Sequence, residues 1–305
     1  MEKINFKHSG RLGDIVYSLP AVIELCRLHN ATCDFYIASD TYIDKRRSAY
    51  HPGDGLMVSK ALFEILAPVL KNLQCIKEVY YEPHGNIPTD IYDLDDFGRR
   101  KFNNIASHQP AWWRKLYGIN INFHEPWLKN SSSKKEPRYI VVSKSTRFYN
   151  SAINYQFLDQ MAQHLEVVFL GLPFEFEHFK KTHGLQKLKL FIAEDGGSLM
   201  DLLQSAQLLI GNQSFIFSLA EGLKVPRALE TFHPAPTVVP CGGVCTEFAG
   251  TAELIYFINT YFNFEKINAA NYLDFSAGFA EDILSPPKLK FKYKLRKLIN
   301  HLRGK

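Results

Sequence analysis

Short apolar runs alternate along the chain with longer stretches in which apolar residues recur every three or four positions. The short runs predict β-strands at residues 4–7, 33–38, 76–81, 139–142, 167–171, 188–192, 208–210 and 227–231. The longer stretches predict helices at residues 15–26, 61–73, 105–119, 157–165, 198–205, 214–223 and 252–262. Strands that alternate with helices are typical of parallel sheets. The pattern therefore predicts an α/β protein whose rhythm restarts near residue 139.

A polar segment that ends in proline, KNSSSKKEP at 129–137, separates the two runs of elements. A chain of 305 residues is long for one domain and sufficient for two. The sequence predicts an N-terminal domain at 1–130, a linker at 131–137, a C-terminal domain at 138–262 and an extension at 263–305.

The turn between the first strand and the first helix is Gly10-Arg11-Leu12-Gly13-Asp14. Its glycines let a ligand approach the backbone, and the helix that follows presents free N–H groups. The turn lacks the third glycine of a dinucleotide fingerprint, and the carboxylate of Asp14 would repel a pyrophosphate, so a nicotinamide or flavin cofactor is disfavoured. Spacing alone predicts that Asp14 caps the helix. Pro20 is predicted to kink this helix or to mark a short first turn.

Two motifs carry a resemblance to a known family. Residues 10–22, GRLGDIVYSLPAV, resemble the N-terminal signature of the ADP-heptose:lipopolysaccharide heptosyltransferases, glycosyltransferase family 9. Residues 208–214, LLIGNQS, with the helix after them and Val225-Pro226, resemble the donor-site unit of the same family. In this second motif the family's Asp, Gly and His positions hold Gln213, Phe215 and Ser218. The two motifs and their spacing cover most of the chain.

The resemblance implies the GT-B architecture, in which two Rossmann-like domains with parallel sheets face each other across a cleft. It implies an inverting, metal-independent glycosyltransferase with no cofactor, which moves a sugar from a nucleotide-diphosphate sugar to a glycan or lipid-linked acceptor. Asp14 matches the family's candidate catalytic base. The acceptor is expected near Gly10, Arg11, Gly13, Tyr17 and Arg99.

The donor is expected at the second domain, because ligands of open α/β sheets collect at the carboxyl ends of strands. The loop after strand 139–142 carries hydroxyls and two cations, which are expected to be exposed and to neutralise a diphosphate. An ordinary solvated loop, a helix cap at Ser214 and an exposed acid at Glu230 are the alternatives. The predicted donor-binding residues are Ser143, Lys144, Ser145, Thr146, Arg147, Gly171, Asn212, Gln213, Ser214, Ser218 and Glu230.

Two other interpretations concern function. The substitutions at the family's Asp and His positions leave open a catalytically inactive GT-B module that binds a partner or sugar, and an NAD-type enzyme is less favoured. The acidic stretch 90–96 contains a D-x-D pattern that could bind a metal, but we interpret it as a short strand or loop with solvated acids. His8 is not expected to have a catalytic role.

Five cysteines without a C-x-x-C pair predict free thiols and no metal site.

No apolar run approaches the roughly 20 residues that span a bilayer, and the N-terminus has no signal-peptide pattern, so we expect a cytoplasmic protein. Residues 288–305 carry eight basic residues, no acid and an apolar stripe at helical spacing. This tail is predicted to contact the anionic inner face of the cell membrane, with a solvated or back-packed tail as the alternative. No nucleic acid partner is expected.

Overall fold

Two parallel β-sheets form the framework of the protein. The computed structural model describes residues 2–43, 55–96, 109–129, 136, 139–145, 148, 150–232, 237–262 and 266–272. Each sheet alternates strands with helices, as the sequence pattern predicts. The α/β class and the two parallel sheets of the sequence-based prediction are therefore confirmed.

The first sheet has the strand order β3-β2-β1-β4, with every neighbouring pair parallel. Its strands are β1 (Glu2–His8), β2 (Ala31–Ala38), β3 (Ile76–Glu82) and β4 (Tyr92–Asp93). Its helices are α1 (Leu12–Leu28), α2 (Lys60–Lys71) and α3 (Pro110–Tyr117). Trp113 of α3 is fully buried, which makes it a core residue.

The second sheet has the order β10-β9-β8-β5-β6-β7, again with parallel neighbours. Its strands are β5 (Tyr139–Ser143), β6 (Glu166–Leu170), β7 (Lys189–Phe191), β8 (Ala206–Gly211), β9 (Arg227–Glu230) and β10 (Cys245–Phe248). Its helices are α4 (Phe157–Met161), α5 (Pro173–His183), α6 (Gly196–Gln204), α7 (Phe215–Leu223) and α8 (Thr251–Tyr261).

The structure differs from the sequence-based elements at three places. Helix α5 is not among the predicted helices, and it begins at Pro173, because proline suits the first position of a helix. Strand β10 was missed, since CTEF is short and half polar. Helix α1 continues through Pro20 for 17 residues, so the short first turn was wrong.

One hydrophobic core cluster spans the two halves, and a second cluster lies within the second half. Helix α1 packs on α7, and α2 packs on α6. Glycine makes the second contact possible, because a Cβ on Gly196 would lie 2.1 Å from the carbonyl oxygen of Ile65. At the first contact, a Cβ on Gly13 would lie 3.7 Å from the backbone nitrogen of Phe215. Helix-to-helix packing therefore sets how the two sheets stand relative to each other.

A buried cluster of charged side chains at the end of α7 forms hydrogen bonds with loops of both halves. The fully buried Glu221 accepts from Lys224 at 2.6 Å and from Arg227 at 2.5 Å. Lys224 also donates to the backbone oxygens of Phe123 and Cys241, each at 2.6 Å. Removing one member of such a buried set leaves a desolvated charge. The cluster therefore holds the segment before the predicted linker against the second half.

The last described segment returns to the second sheet. Ile267 exchanges two hydrogen bonds with the side chain of Asn259 on α8, and Tyr272 donates to Gln160 at 2.9 Å. The tail at 288–305 and all of the linker at 131–137 except Glu136 lie outside the described residues, so the domain limits stay a prediction. Among the helices described, none is long and apolar enough to cross a membrane.

Candidate functional site

The site lies where the N-termini of α1 and α7 meet. Each helix follows the carboxyl end of a central strand, β1 or β8, which is the edge where ligands of open α/β sheets bind. The close approach of Gly13 to Ser214 and Phe215 brings the two helix starts together. Two positive helix ends therefore point to one region between the sheets.

Asp14 lies inside the first turn of α1 and is not its cap. The N-cap position is Arg11, whose side chain makes no capping hydrogen bond, so the capping interpretation of Asp14 was wrong. Instead, Oδ1 of Asp14 accepts a hydrogen bond from Nε2 of Gln109 at 2.7 Å. The carboxylate of Asp14 is therefore held by a side chain from outside its own helix.

Gln109 links the two halves across this junction. Its backbone N–H donates to the carbonyl of Thr237 at 2.8 Å, while its amide holds Asp14. Thr237 in turn donates through Oγ1 to Oε1 of Gln213 at 3.1 Å. A chain of hydrogen bonds thus connects Asp14, the predicted base in the first half, with Gln213, which occupies the family's Asp position in the second half.

A buried histidine–aspartate pair stands beside Asp14. His8 ends β1 fully buried, and its Nδ1 lies 2.9 Å from Oδ1 of Asp95. Burial lowers the pKa of His8, but the charge and hydrogen bond of Asp95, with the charge of Asp14, raise it by more. Burial raises the pKa of Asp95, yet His8 and the donors of Ser9 bring it down to about 2. The pair is therefore ionised over a wide pH range.

Two acids of the stretch 90–96, Asp93 and Asp95, are paired rather than solvated, which corrects the expectation for them, whereas Asp90 is exposed. Asp93 pairs with Lys7 at 2.8 Å, and its backbone oxygen accepts from the hydroxyl of Tyr117. Asp95 pairs with His8 and accepts a hydrogen bond from the hydroxyl of Ser9. In the parts of the chain that the structure describes, the D-x-D acids do not group into a metal-ligand cluster. Asp93 and Asp95 thus join this stretch to the carboxyl end of β1 through ion pairs with Lys7 and His8.

We expect Asp95→Asn to destabilise the protein most between pH 3.8 and 6.5. Asp95 stabilises the fold above its unfolded pKa of 3.8, and this contribution is lost as the pH falls through about 2. His8 stabilises it below its unfolded pKa of 6.5, and that contribution is lost as the pH rises through its raised pKa. Urea unfolding across pH should show a loss of about 2 kcal/mol in this window.

The exposed Asp90 offers the matched control, since Asp90→Asn changes the same group outside this pair. Its unfolding free energy should follow that of the parent at every pH. A difference between Asp95→Asn and the parent that does not vary with pH would contradict the ion-pair assignment.

The carboxyl edge of the second sheet brings together several predicted donor residues. Asn212 accepts from the backbone N–H of Ser145 at 3.0 Å and donates to the carbonyls of Ser145 and Phe148 at 2.7 and 3.1 Å. Ser143 ends β5 buried, and its carbonyl accepts from the backbone of Asn212. Oγ of Ser145 is buried and makes no hydrogen bond with the described residues. Asn212 therefore shapes the loop that follows β5.

Lys144 was expected at the surface, which was wrong, and the alternative of an exposed acid at Glu230 was wrong as well. They form an ion pair with each other, and each is almost fully buried. Tyr155 donates its hydroxyl to Glu230 at 2.6 Å and lies under the ammonium of Lys144, 5.3 Å from ring centre to Nζ. Burial holds the pKa of Lys144 well below its usual value. The ammonium of Lys144 and the carboxylate of Glu230 thus contact each other inside the sheet edge, and the donor-binding roles predicted for them stay predictions.

The remaining donor residues serve the start of α7 and the end of β6. Ser214 is the N-cap of α7 and accepts from Phe217 at 3.2 Å, which confirms the capping alternative. Ser218 is buried and donates to the carbonyl of Phe215 at 2.6 Å. Gly171 follows β6, where a Cβ would lie 2.8 Å from the ring of Phe169. Binding roles for these residues stay predictions.

The predicted acceptor residues fall into three groups. Gly10 and Arg11 lie at the mouth of the turn, and a Cβ on Gly10 would lie 2.6 Å from the ring of His8 and 3.4 Å from Oδ2 of Asp14. Tyr17 is buried against Trp127, with ring centroids 6.5 Å apart, which gives it a packing role. Arg99, Thr146 and Arg147 lie outside the described residues.

Sequence reasoning missed the partners of Asp14. Gln109 lies 95 positions away along the chain, and Asp95 lies 87 positions from His8, so no local spacing relates them. The one available signal was a histidine at the end of a central strand, beside a glycine turn. The contacts of Asp14 with Gln109 and of His8 with Asp95 could not be predicted, because the partners are far apart in the sequence.

Comparisons with known proteins bear on the fold of the chain. The sequence matches no family model and no curated protein. Escherichia coli heptosyltransferase WaaC with ADP-2-deoxy-2-fluoro heptose matches with a TM-score of 0.51 and 11% identity, covering 81% of this chain and 93% of that chain. Escherichia coli ADP-heptose lipopolysaccharide heptosyltransferase II matches with a TM-score of 0.50 and 12% identity, covering 81% and 90%. A glycosyl transferase family 9 protein from Veillonella parvula has 13% identity and a TM-score of 0.48, covering 89% and 91%.

These matches extend over most of both chains, so they concern the whole arrangement of the two sheets. The resemblance to the heptosyltransferases that the two sequence motifs indicated is thereby confirmed at the level of the fold, and with it the GT-B prediction. The chain has the two-sheet fold of the heptosyltransferases of glycosyltransferase family 9.

Proposed function

We propose that this protein is an inverting, metal-independent glycosyltransferase that moves a sugar from a nucleotide-diphosphate sugar to a hydroxyl of a glycan or lipid-linked acceptor. The observation that carries the proposal is the position of Asp14. Its carboxylate lies at the junction of two helix N-termini and is held in place by the amide of Gln109. The heptosyltransferases, which have the same fold, are glycosyltransferases.

On the acceptor side, Asp14 would act as the general base. One oxygen is held by Gln109, so the carboxylate is oriented while its other oxygen can receive a proton. The acceptor hydroxyl would give its proton to Asp14 as its oxygen bonds to the anomeric carbon. The bond from that carbon to the diphosphate oxygen breaks at the same time, and the configuration inverts.

On the donor side, the N-terminus of α7 would receive the diphosphate. The free N–H groups and the positive end of a helix suit a phosphate that gains charge as the sugar leaves. Ser145 supplies a buried hydroxyl nearby in the loop that Asn212 holds. Stabilisation of the leaving diphosphate would then come from backbone groups, because Lys144 is paired with Glu230.

The acceptor and the place of action follow from the same proposal. A lipid-linked glycan is found at a membrane surface, and the basic tail at 288–305 would help to hold the protein there. We therefore propose a cytoplasmic protein that is peripheral at the inner face of the cell membrane. The tail lies outside the described residues, so only its sequence supports this contact.

A binding module without catalysis is the second candidate function. The polar groups of the degraded motif are used inside the protein, since Gln213 accepts from Thr237 and Ser218 donates to its own helix. Such a module would bind the nucleotide or the glycan without transferring a sugar.

A nucleotide panel followed by a transfer assay separates these functions. We expect a nucleoside diphosphate or its sugar to raise the melting temperature, because a ligand at a hundred times its dissociation constant adds about 2.7 kcal/mol of stability. NAD and FAD should leave the melting temperature unchanged. Sugar transfer or donor hydrolysis by the stabilised complex would support the enzyme, and binding without turnover would support the module. Stabilisation by NAD alone would contradict both.

A further inference from the structure

Three cysteines that are far apart in the sequence meet in the first half of the protein. The Sγ atoms of Cys26, Cys33 and Cys75 all lie within 4.8 Å of one another. Cys26 is in the last turns of α1, Cys33 is near the start of β2, and Cys75 directly precedes β3. This thiol cluster lies at the amino-terminal edge of the sheet, whereas Asp14 follows its carboxyl edge. The cluster is therefore separate from the candidate functional site.

The backbone around the cluster is held by regular structure. The N–H of Cys33 donates to the carbonyl of Cys75 at 2.7 Å, so the two strands are joined at this point. Cys26 and Cys33 are buried in the main core, and Cys75 is half-buried. The sulfur atoms are thus placed by packed elements, and one of them borders the surface, which leaves an entry for a small ion.

The spacing of the sulfur atoms fits a metal ion. A trigonal set of thiolates at a metal–sulfur distance of about 2.3 Å has sulfur atoms about 4.0 Å apart. Each separation in the cluster would have to contract by less than about 1 Å from the 4.8 Å limit, which side-chain rotation can supply.

The chemistry of the cluster selects a soft ion. Thiolates prefer Cu(I) and Zn²⁺ over hard cations. Zn²⁺ in structural sites takes four ligands, and within the described residues only three ligand side chains gather here. Lys77 lies close enough to Cys75 for its positive charge to act on the sulfur.

We propose that Cys26, Cys33 and Cys75 form a binding site for a soft, thiophilic d10 metal ion, with Cu(I) the best fit. The three sulfur atoms bind as thiolates and release their protons to solvent, and no electron is transferred. The charge of Lys77 offsets part of the negative charge of the complex. The site crosslinks α1, β2 and β3 at the edge of the sheet opposite Asp14.

The proposal is tested by titrating the reduced full chain with Cu(I) under anaerobic conditions in competition with a chromogenic Cu(I) chelator. We expect one ion to be retained per chain, with the near-ultraviolet absorption of a Cu(I)–thiolate complex. Cys75→Ala should lose this ion, and because Cys75 is half-buried, the metal-free variant should melt close to the parent. The double variant Cys241→Ala/Cys245→Ala, which removes the other two thiols, should retain it.

A parallel titration with Zn²⁺ against an indicator distinguishes the two ions. Weaker retention of Zn²⁺ that still depends on Cys75 supports the proposal. The proposal is overturned if the parent retains neither ion, if Cys75→Ala binds as the parent does, or if the ion is lost only from the Cys241/Cys245 variant. Packing alone would then explain the cluster.

Discussion

Replacing Asp14 by asparagine is expected to lower sugar transfer by at least about a hundredfold, which is what a positioned base contributes. Asparagine has the same shape and keeps an oxygen that can accept from Gln109, so the site should retain its geometry. It cannot take the proton of the acceptor hydroxyl. Nucleotide affinity should stay unchanged, since we propose the donor site at the start of α7. Initial rates and nucleotide titrations on the same preparations would measure both effects.

Two variants control this experiment. Glu24→Gln changes another acid on the same helix, whose partner is Arg27, and should leave turnover unchanged. Gln109→Met removes the amide that holds Asp14 and should cost less than Asp14→Asn, because the carboxylate is still present. If Asp14→Asn turns over as fast as the parent, Asp14 is not the base.

Glu230→Gln is expected to destabilise the protein by about 3–5 kcal/mol, because it leaves Lys144 buried without its counter-charge. The combined Lys144→Met/Glu230→Gln variant should recover part of this loss, since a buried pair replaced by neutral groups leaves no uncompensated charge. Denaturant unfolding of both single variants and the double variant would give the coupling between the residues.

The exposed pair of Lys189 and Glu166, 3.1 Å apart, is the matched control. Lys189→Met should cost about 0–1 kcal/mol, as is usual for surface ion pairs. Should Glu230→Gln cost no more than Lys189→Met, the two charges are solvated in solution and remain available to a donor. The burial of Lys144 also means that a Lys144→Ala variant tests stability together with binding.

The local pattern of the chain predicted most of its elements. Periodicity located eight of the ten strands that the structure describes, because each of these eight is a short apolar run between polar turns. Strand β4 falls in the acidic stretch 90–96, which was interpreted as a short strand or loop. Periodicity failed at β10, where half the residues are polar, and at α5, where proline begins the helix. The glycine turn before α1 and the start of α7 were also visible, since both are strand–turn–helix units that occupy consecutive residues.

Tertiary structure decided which side chains meet. Gln109 reaches Asp14 and Asp95 reaches His8 across long separations in sequence, and three cysteines converge from a helix, a strand and the residue before another strand. It also decided burial, which placed Lys144, an expected surface charge, in an internal ion pair with Glu230. Sequence by itself determined the rhythm of strands and helices and the two turns at their carboxyl edges, because these depend on neighbouring residues. The partners, the ionisation and the exposure of the site residues depend on packing between elements, which only the folded chain defines.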